Sequence, residues 1–184
     1  MRNEERWDEI LLPRYLKMFT PRIQDDIQGL PFPKDISKTK KIKSSFIYGD
    51  TETGKTIYGT FLSLQYCKLR YLSNDLTRFR FFYIPVPDLF DELKKEFEIN
   101  RSEMLSRCKD VDLLYLDELG LKKANDWAVE IIYMIINYRY EYKKTTIITS
   151  NLSLEELSAQ FGDDRITNRI QRQYEIIKKK PWKK

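Results

Sequence analysis

The sequence predicts a three-layer α/β domain built on a parallel sheet, from two observations. Apolar, β-rich segments at Ser44–Gly49, Phe81–Ile84, Val111–Leu116 and Thr145–Thr149 alternate with stretches of helical periodicity, the order that yields parallel strands joined by helices. A fifth such segment, Tyr174–Ile177, follows the last helix, and 184 residues leave little room for a second domain. Sheets of this kind bind ligands at the carboxyl ends of their strands, so the residues just after each strand are where function should lie.

The elements follow in chain order. Residues 1–43 read as a docking arm or linker without a core of its own: a short amphipathic helix around Trp7, Ile10 and Leu11, interruptions at Pro13, Pro21, Pro31 and Pro33, then the basic run Lys38 to Lys43. Residues 44–178 form the domain, and residues 179–184 a basic tail. The first strand is followed by helical sequence through Leu69. Pro85 and Pro87 stop the second strand, since neither can donate to a central ladder. Helices are expected over Asp88–Phe97 and Ser102–Cys108. In the long helix Asp126–Tyr142, residues Trp127, Ile131, Met134, Ile135 and Tyr138 recur at three- and four-residue spacing and make one buried face. Ser153 with Glu156 reads as a capping box and Leu152 with Leu157 as a hydrophobic staple, so the next helix starts at Ser153.

Composition removes several chemistries. The chain has no histidine, which excludes Ser-His-Asp and Cys-His nucleophiles, imidazole acid–base work and His-ligated metals. Its two cysteines, Cys67 and Cys108, are too far apart in sequence for a zinc motif and fit a reducing compartment. The longest apolar run, Ile131 to Ile136, is far short of the roughly 20 residues a membrane span needs. The charged residues Arg2, Glu4, Glu5, Arg6, Asp8 and Glu9 do not make a leader, and a cytoplasmic location is expected. A net charge of +5 permits nucleic-acid binding without demanding it.

Chemistry concentrates at three strand ends. Gly49-Asp50-Thr51-Glu52-Thr53-Gly54-Lys55-Thr56 matches G-x-x-x-x-G-K-[ST] between an apolar strand and a helix. Backbone N–H groups of residues 52–56 suit phosphate oxygens, Lys55 the β- and γ-phosphates, and the Thr56 hydroxyl a magnesium ion, which makes a magnesium-bound polyphosphate the expected ligand. Leu113-Leu114-Tyr115-Leu116 runs into Asp117, a candidate to hold magnesium through water, and Glu118, a candidate to polarise the attacking water. The adjacent carboxylates favour hydrolysis over transfer to a small acceptor. Asn151 ends the fourth strand and is free to orient the water or γ-phosphate, a turn role being the alternative. Arg165 and Arg169 share a helix face and are either a solvated pair or an arginine finger for a neighbouring subunit.

The Gly-rich loop, V-D-L-L-Y-L-D-E-L-G, T-I-I-T-S-N-L and F-G-D-D-R-I-T-N-R-I, in this order and spacing, resemble the DnaC/IstB-type AAA+ ATPases, bacterial and phage helicase loaders and transposition helpers, over residues 44–178. The resemblance implies an AAA+ core with sheet order 5-1-4-3-2, ATP and magnesium, a homo-oligomer, single-stranded DNA, and a replicative helicase or a transposase as protein partner. By motif match Lys55 and Thr56 become the Walker A pair, Asp117 and Glu118 Walker B, Asn151 sensor 1, and Arg169 the finger with Arg165 beside it. DNA contacts are implied before the Walker B strand, where Lys94, Lys95, Phe97 and Arg101 offer an aromatic among cations. Glu52 departs from the family's usual glycine, the chain ends before a C-terminal helical lid, and the lead is short for a partner-binding domain.

Overall fold

Parallel strands buried on both faces must be apolar along their whole length, and Leu113–Asp117 is buried at every residue. A computed structural model describes residues 6–73, 79–98, 103–120 and 125–180 of the chain. A π-helical turn, Trp7–Leu11, runs into α1 (Leu12–Leu16), α2 (Pro21–Ile27) and α3 (Lys34–Ser37). Then come β1 (Ser45–Tyr48), α4 (Lys55–Leu72), β2 (Phe81–Pro85), α5 (Val86–Glu98), α6 (Glu103–Asp110) and β3 (Leu113–Asp117). The chain continues through α7 (Asp126–Glu141), β4 (Thr145–Ser150), α8 (Leu154–Phe161), α9 (Arg165–Gln173) and β5 (Glu175–Lys178).

All strand pairs are parallel, in the order β2-β3-β4-β1-β5, which is the expected 5-1-4-3-2. Pro85 sits on the edge strand β2, opposite Asp117, where a missing donor costs least. The third strand begins at Leu113 rather than Val111, because the Val111 N–H still donates to the Arg107 carbonyl at the end of α6. Ser153 and Glu156 make the expected capping box at the start of α8. Among the described residues no helix is long and apolar enough to cross a membrane.

Successive strand residues point to opposite faces, and each face has its own core. Phe46, Leu114, Leu116 and Ile148 pack under α5 to α9. Ile47, Leu113, Tyr115 and Ile147 pack under α4 and the N-terminal helices. One helix cannot cover that second face, and the N-terminal segment, expected as a docking arm or linker without a core of its own, packs there. Trp7, Phe19, Ile23, Ile27, Ile36 and Ile42 are buried in that core, and the Phe19 ring lies 4.9 Å from that of Tyr83. Pro13 and Pro21 open α1 and α2 instead of interrupting them, since a first-turn residue needs no N–H.

The long helix α7 is buried more widely than one stripe, packing on α9 and α6 as well as the sheet. Its Arg139, fully buried with no carboxylate bonded to it among the described residues, donates to the carbonyls of Cys108, Lys109, Val111 and Thr145 and to the Thr146 hydroxyl. It thereby ties the end of α6 to the start of β4.

Candidate functional site

The loop between β1 and α4 is held by its own polar groups. The Thr53 hydroxyl donates to the Asp50 carbonyl at 2.8 Å, and the Lys55 ammonium donates to the same carbonyl and to Thr53 Oγ1 at 3.4 Å. Glu52 and Gly54 both have left-handed backbone, with φ of 61° and 74°. Glycine adopts that region freely; a glutamate there carries roughly 1–2 kcal/mol of strain. Burial pulls the Lys55 pKa down, opposed by the carboxylates of Asp117, Asp50 and Glu118.

Asp117 ends β3 almost fully buried, at 2% exposure, and hydroxyls surround it. Thr56 donates to Oδ1 at 3.1 Å, Tyr115 to Oδ1 at 3.2 Å, Tyr83 to Oδ2 at 3.3 Å, and Thr149 also donates to Oδ1. Burial, reinforced by the Asp117 charge, pushes the pKa of both phenols well up, so they remain donors. Gly59 on α4 makes room for Tyr115: a Cβ there would stand 2.5 Å from its hydroxyl. The Glu118 N–H donates to Thr149 Oγ1 at 3.0 Å, which pins Glu118 in a left-handed conformation with φ of 62°. Its carboxylate side is exposed to the cleft.

These elements enclose a cleft of about 410 Å³ at the carboxyl ends of β1, β3 and β4. Thr51, Glu52, Gly54, Lys55 and Thr56 form one wall; Glu118, Thr149, Ser150 and Asn151 form another. The fold thus brings together Lys55, Thr56, Glu118 and Asn151 from three strand ends, with Asp117 beneath them. Sequence reasoning missed Tyr83, Tyr115 and Thr149, although β-strand alternation already placed Tyr115 and Asp117 on one face. It also missed Arg22 and Asp26 of α2, which complete the cleft and which no local signal marks.

Two expected groups lie elsewhere. Arg165 and Arg169 face α7: Arg165 pairs with Asp163 at 2.7 Å and stacks on Tyr133, while Arg169 donates to Asn137 at 2.7 Å and to the Arg165 carbonyl at 2.9 Å. Lys94, Lys95 and Phe97 lie at the exposed end of α5; the lysines pair with Asp91 and Glu92, and the Phe97 ring meets Trp127 edge-on at 6.0 Å. Arg101 lies outside the described residues.

With this geometry in view, residues 24–178 match the family described as IstB-like ATP binding protein. The chain belongs to that family. The match starts inside α2, so the family's own domain takes in part of the N-terminal segment. Among relatives of this IstB-like chain, the phage-like element PBSX protein XkdC of Bacillus subtilis is 35% identical over 80 residues, 41% of this chain and 30% of that protein. An insertion sequence IS232 putative ATP-binding protein of Bacillus thuringiensis is 28% identical over 66% of this chain and 46% of its own length. The replicative helicase loader DnaC of Escherichia coli is 28% identical over 47% of this chain and 36% of its own. The chain thus spans half or less of the curated relatives it matches. A crystal structure of the DnaC helicase loader superposes with a TM-score of 0.63 at 23% identity, covering 91% of this chain and 99% of that one, which shows the shared fold.

The donor set of this IstB-like site fits magnesium with a nucleotide. Among the described residues no three acidic, Cys or His side chains converge into a metal cage. Mg2+ does not require one, because it commonly takes one or two protein oxygens with waters and phosphate oxygens, and Thr56 Oγ1 and Asp117 Oδ1 already adjoin. Replacing Glu52 by Gly removes both a carboxylate beside the phosphates and its strained φ. Mg·ATP affinity should rise about 2–5-fold in a calorimetric titration, the size of one screened charge contact. Unchanged or weaker affinity would show that the loop accommodates the carboxylate.

Proposed function

We propose that this protein hydrolyses Mg·ATP slowly as a homo-oligomer and acts on single-stranded DNA in a helicase-loader-like role in replication. The observation carrying the proposal is the convergence of Lys55, Thr56, Glu118 and Asn151 on one cleft, with Asp117 held beneath it. Lys55 turns its ammonium from the Asp50 carbonyl to the β- and γ-phosphates. Thr56 and Asp117 would hold a magnesium ion, which when bound would supply charge withdrawal from the phosphate oxygens. Glu118, fixed through its backbone by Thr149, accepts a proton from water as that water attacks the γ-phosphorus in line with the departing diphosphate. Asn151 orients the same water, and Arg169 of an adjacent copy, with Arg165 beside it, meets the charge on the transferred group. ATP turnover measured with and without single-stranded DNA tests the reading; no magnesium-dependent turnover in either condition would sink it.

Lys94, Lys95 and Phe97 are the DNA-contacting set supported by exposure, with Phe97 at 46% despite its apolar ring. Phe97→Ala should weaken single-stranded DNA binding by about 1–3 kcal/mol if a base stacks there, and binding should fall steeply with salt as counterions are released. Salt-independent binding, or none at low salt with ATP present, removes DNA from the account. A second reading, a transposition helper, is supported by the family match and by the IS232 relative. Capture of a transposase rather than a replicative helicase from the native host would favour it.

A further inference from the structure

We infer that Arg22, in the N-terminal segment, is a further nucleotide-contacting residue: the cation within the same chain that meets the terminal phosphate of ATP and so couples the seating of the N-terminal helices to the bound nucleotide. The inference rests on the ATP-binding reading and adds a residue that lies outside the Gly-rich loop and both strand-end motifs.

Helix α2 is anchored by one face and presents another. Ile23 and Ile27 are buried against the core around α4, while Arg22 and Asp26, also four residues apart, are exposed and line the same cleft as Thr56 and Glu118. The approach of α2 is set from both sides: Gln24 Nε2 donates to the Phe19 carbonyl at 2.8 Å, and the Phe19 ring packs on Phe81, Tyr83 and Tyr115 of β2 and β3. Arg22 lines the nucleotide cleft from α2. Among the described residues no hydrogen bond or ion pair engages its guanidinium, whereas the Lys55 ammonium is already committed to its own loop.

Charge balance gives Arg22 a task. The cleft lining carries two cations, Arg22 and Lys55, against three carboxylates, Asp26, Glu52 and Glu118, with Asp117 beneath. A polyphosphate entering such a site needs every cation available, and a planar guanidinium matches phosphate oxygens in pairs. ADP ends one phosphate short of ATP, so a cation poised by Thr56 and Glu118 distinguishes the two nucleotides. Because Arg22 rides on α2, contact with the phosphate adds to the hold on that helix and so couples the N-terminal segment to the nucleotide.

The test is equilibrium titration of the full chain with Mg·ADP and with a non-hydrolysable Mg·ATP analogue, using the parent, Arg22→Ala, Arg22→Lys and Asp26→Asn. Arg22→Ala should weaken the ATP analogue about 10–100-fold, the range for a charge-assisted hydrogen bond, and leave ADP within about 2-fold. Arg22→Lys should restore part of the loss, and Asp26→Asn should tighten the analogue. The analogue should also slow tryptic cleavage after Lys17 in the parent but not in Arg22→Ala. An unchanged ATP-to-ADP preference in folded Arg22→Ala, or equal protection of Lys17 in both proteins, overturns the inference while leaving the ATPase reading intact. A parent that binds neither nucleotide overturns the reading itself.

Discussion

Mixing Glu118→Gln with Arg169→Ala should restore ATP turnover that neither variant has alone. In one chain Arg169 is turned away from the cleft, its guanidinium bonded to Asn137 of α7 and to the Arg165 carbonyl, so it cannot serve its own nucleotide without leaving α9's packing. A finger supplied by a neighbouring subunit is worth about 10³–10⁵ in rate, far above assay noise. Specific activity should therefore rise with protein concentration, and Arg169→Ala should lose turnover while keeping ATP affinity. That pattern differs from Arg22→Ala, which is expected to lose affinity. In the mixture, one interface joins an intact Glu118 to an intact Arg169 and regains activity. A mixture that stays inert although both variants fold, bind ATP and co-assemble excludes Arg169. The same experiment with Arg165→Ala then decides whether Arg165, whose guanidinium pairs with Asp163 and stacks on Tyr133, is the finger.

Glu118→Gln should bind ATP as the parent does and slow hydrolysis by about 10²–10⁴-fold, the usual contribution of a positioned general base. The amide keeps the Thr149 contact, which is made through the Glu118 backbone, so geometry survives and only proton acceptance is lost. Hydrolysis at the parent rate would refute the assignment. Lys55→Ala should instead abolish ATP binding, since it removes one of the two cations in the cleft lining. Burial holds the Lys55 pKa below its ordinary 10.5, so the ammonium is lost as pH rises through a lowered value. ATP affinity should accordingly fall at a lower alkaline pH than an exposed lysine would give. A titration of affinity against pH, with Lys55→Arg as the control that stays charged, checks the sign.

What the sequence by itself determined is what a few consecutive residues can specify. A strand running into G-x-x-x-x-G-K-T and a helix, an apolar strand closing on Asp117 and Glu118, and Ser153 with Glu156 at a helix start each depend on neighbours in the chain, and each forms where its pattern lies. Alternation of strands and helices was enough for a parallel sheet. Tertiary structure alone decided what covers the face that α4 leaves open. Phe19 carries no local mark among the prolines, because the surface that packs on it, Phe81, Tyr83 and Tyr115, is made of residues some sixty or more positions away. The same cause hid Arg22 and Asp26 in the cleft, the hydroxyl shell on Asp117, and the engagement of Arg169 with α7. Those placements follow from how a parallel sheet sorts alternate side chains to two faces and from which helix reaches each uncovered patch, a competition among distant segments that leaves no local mark.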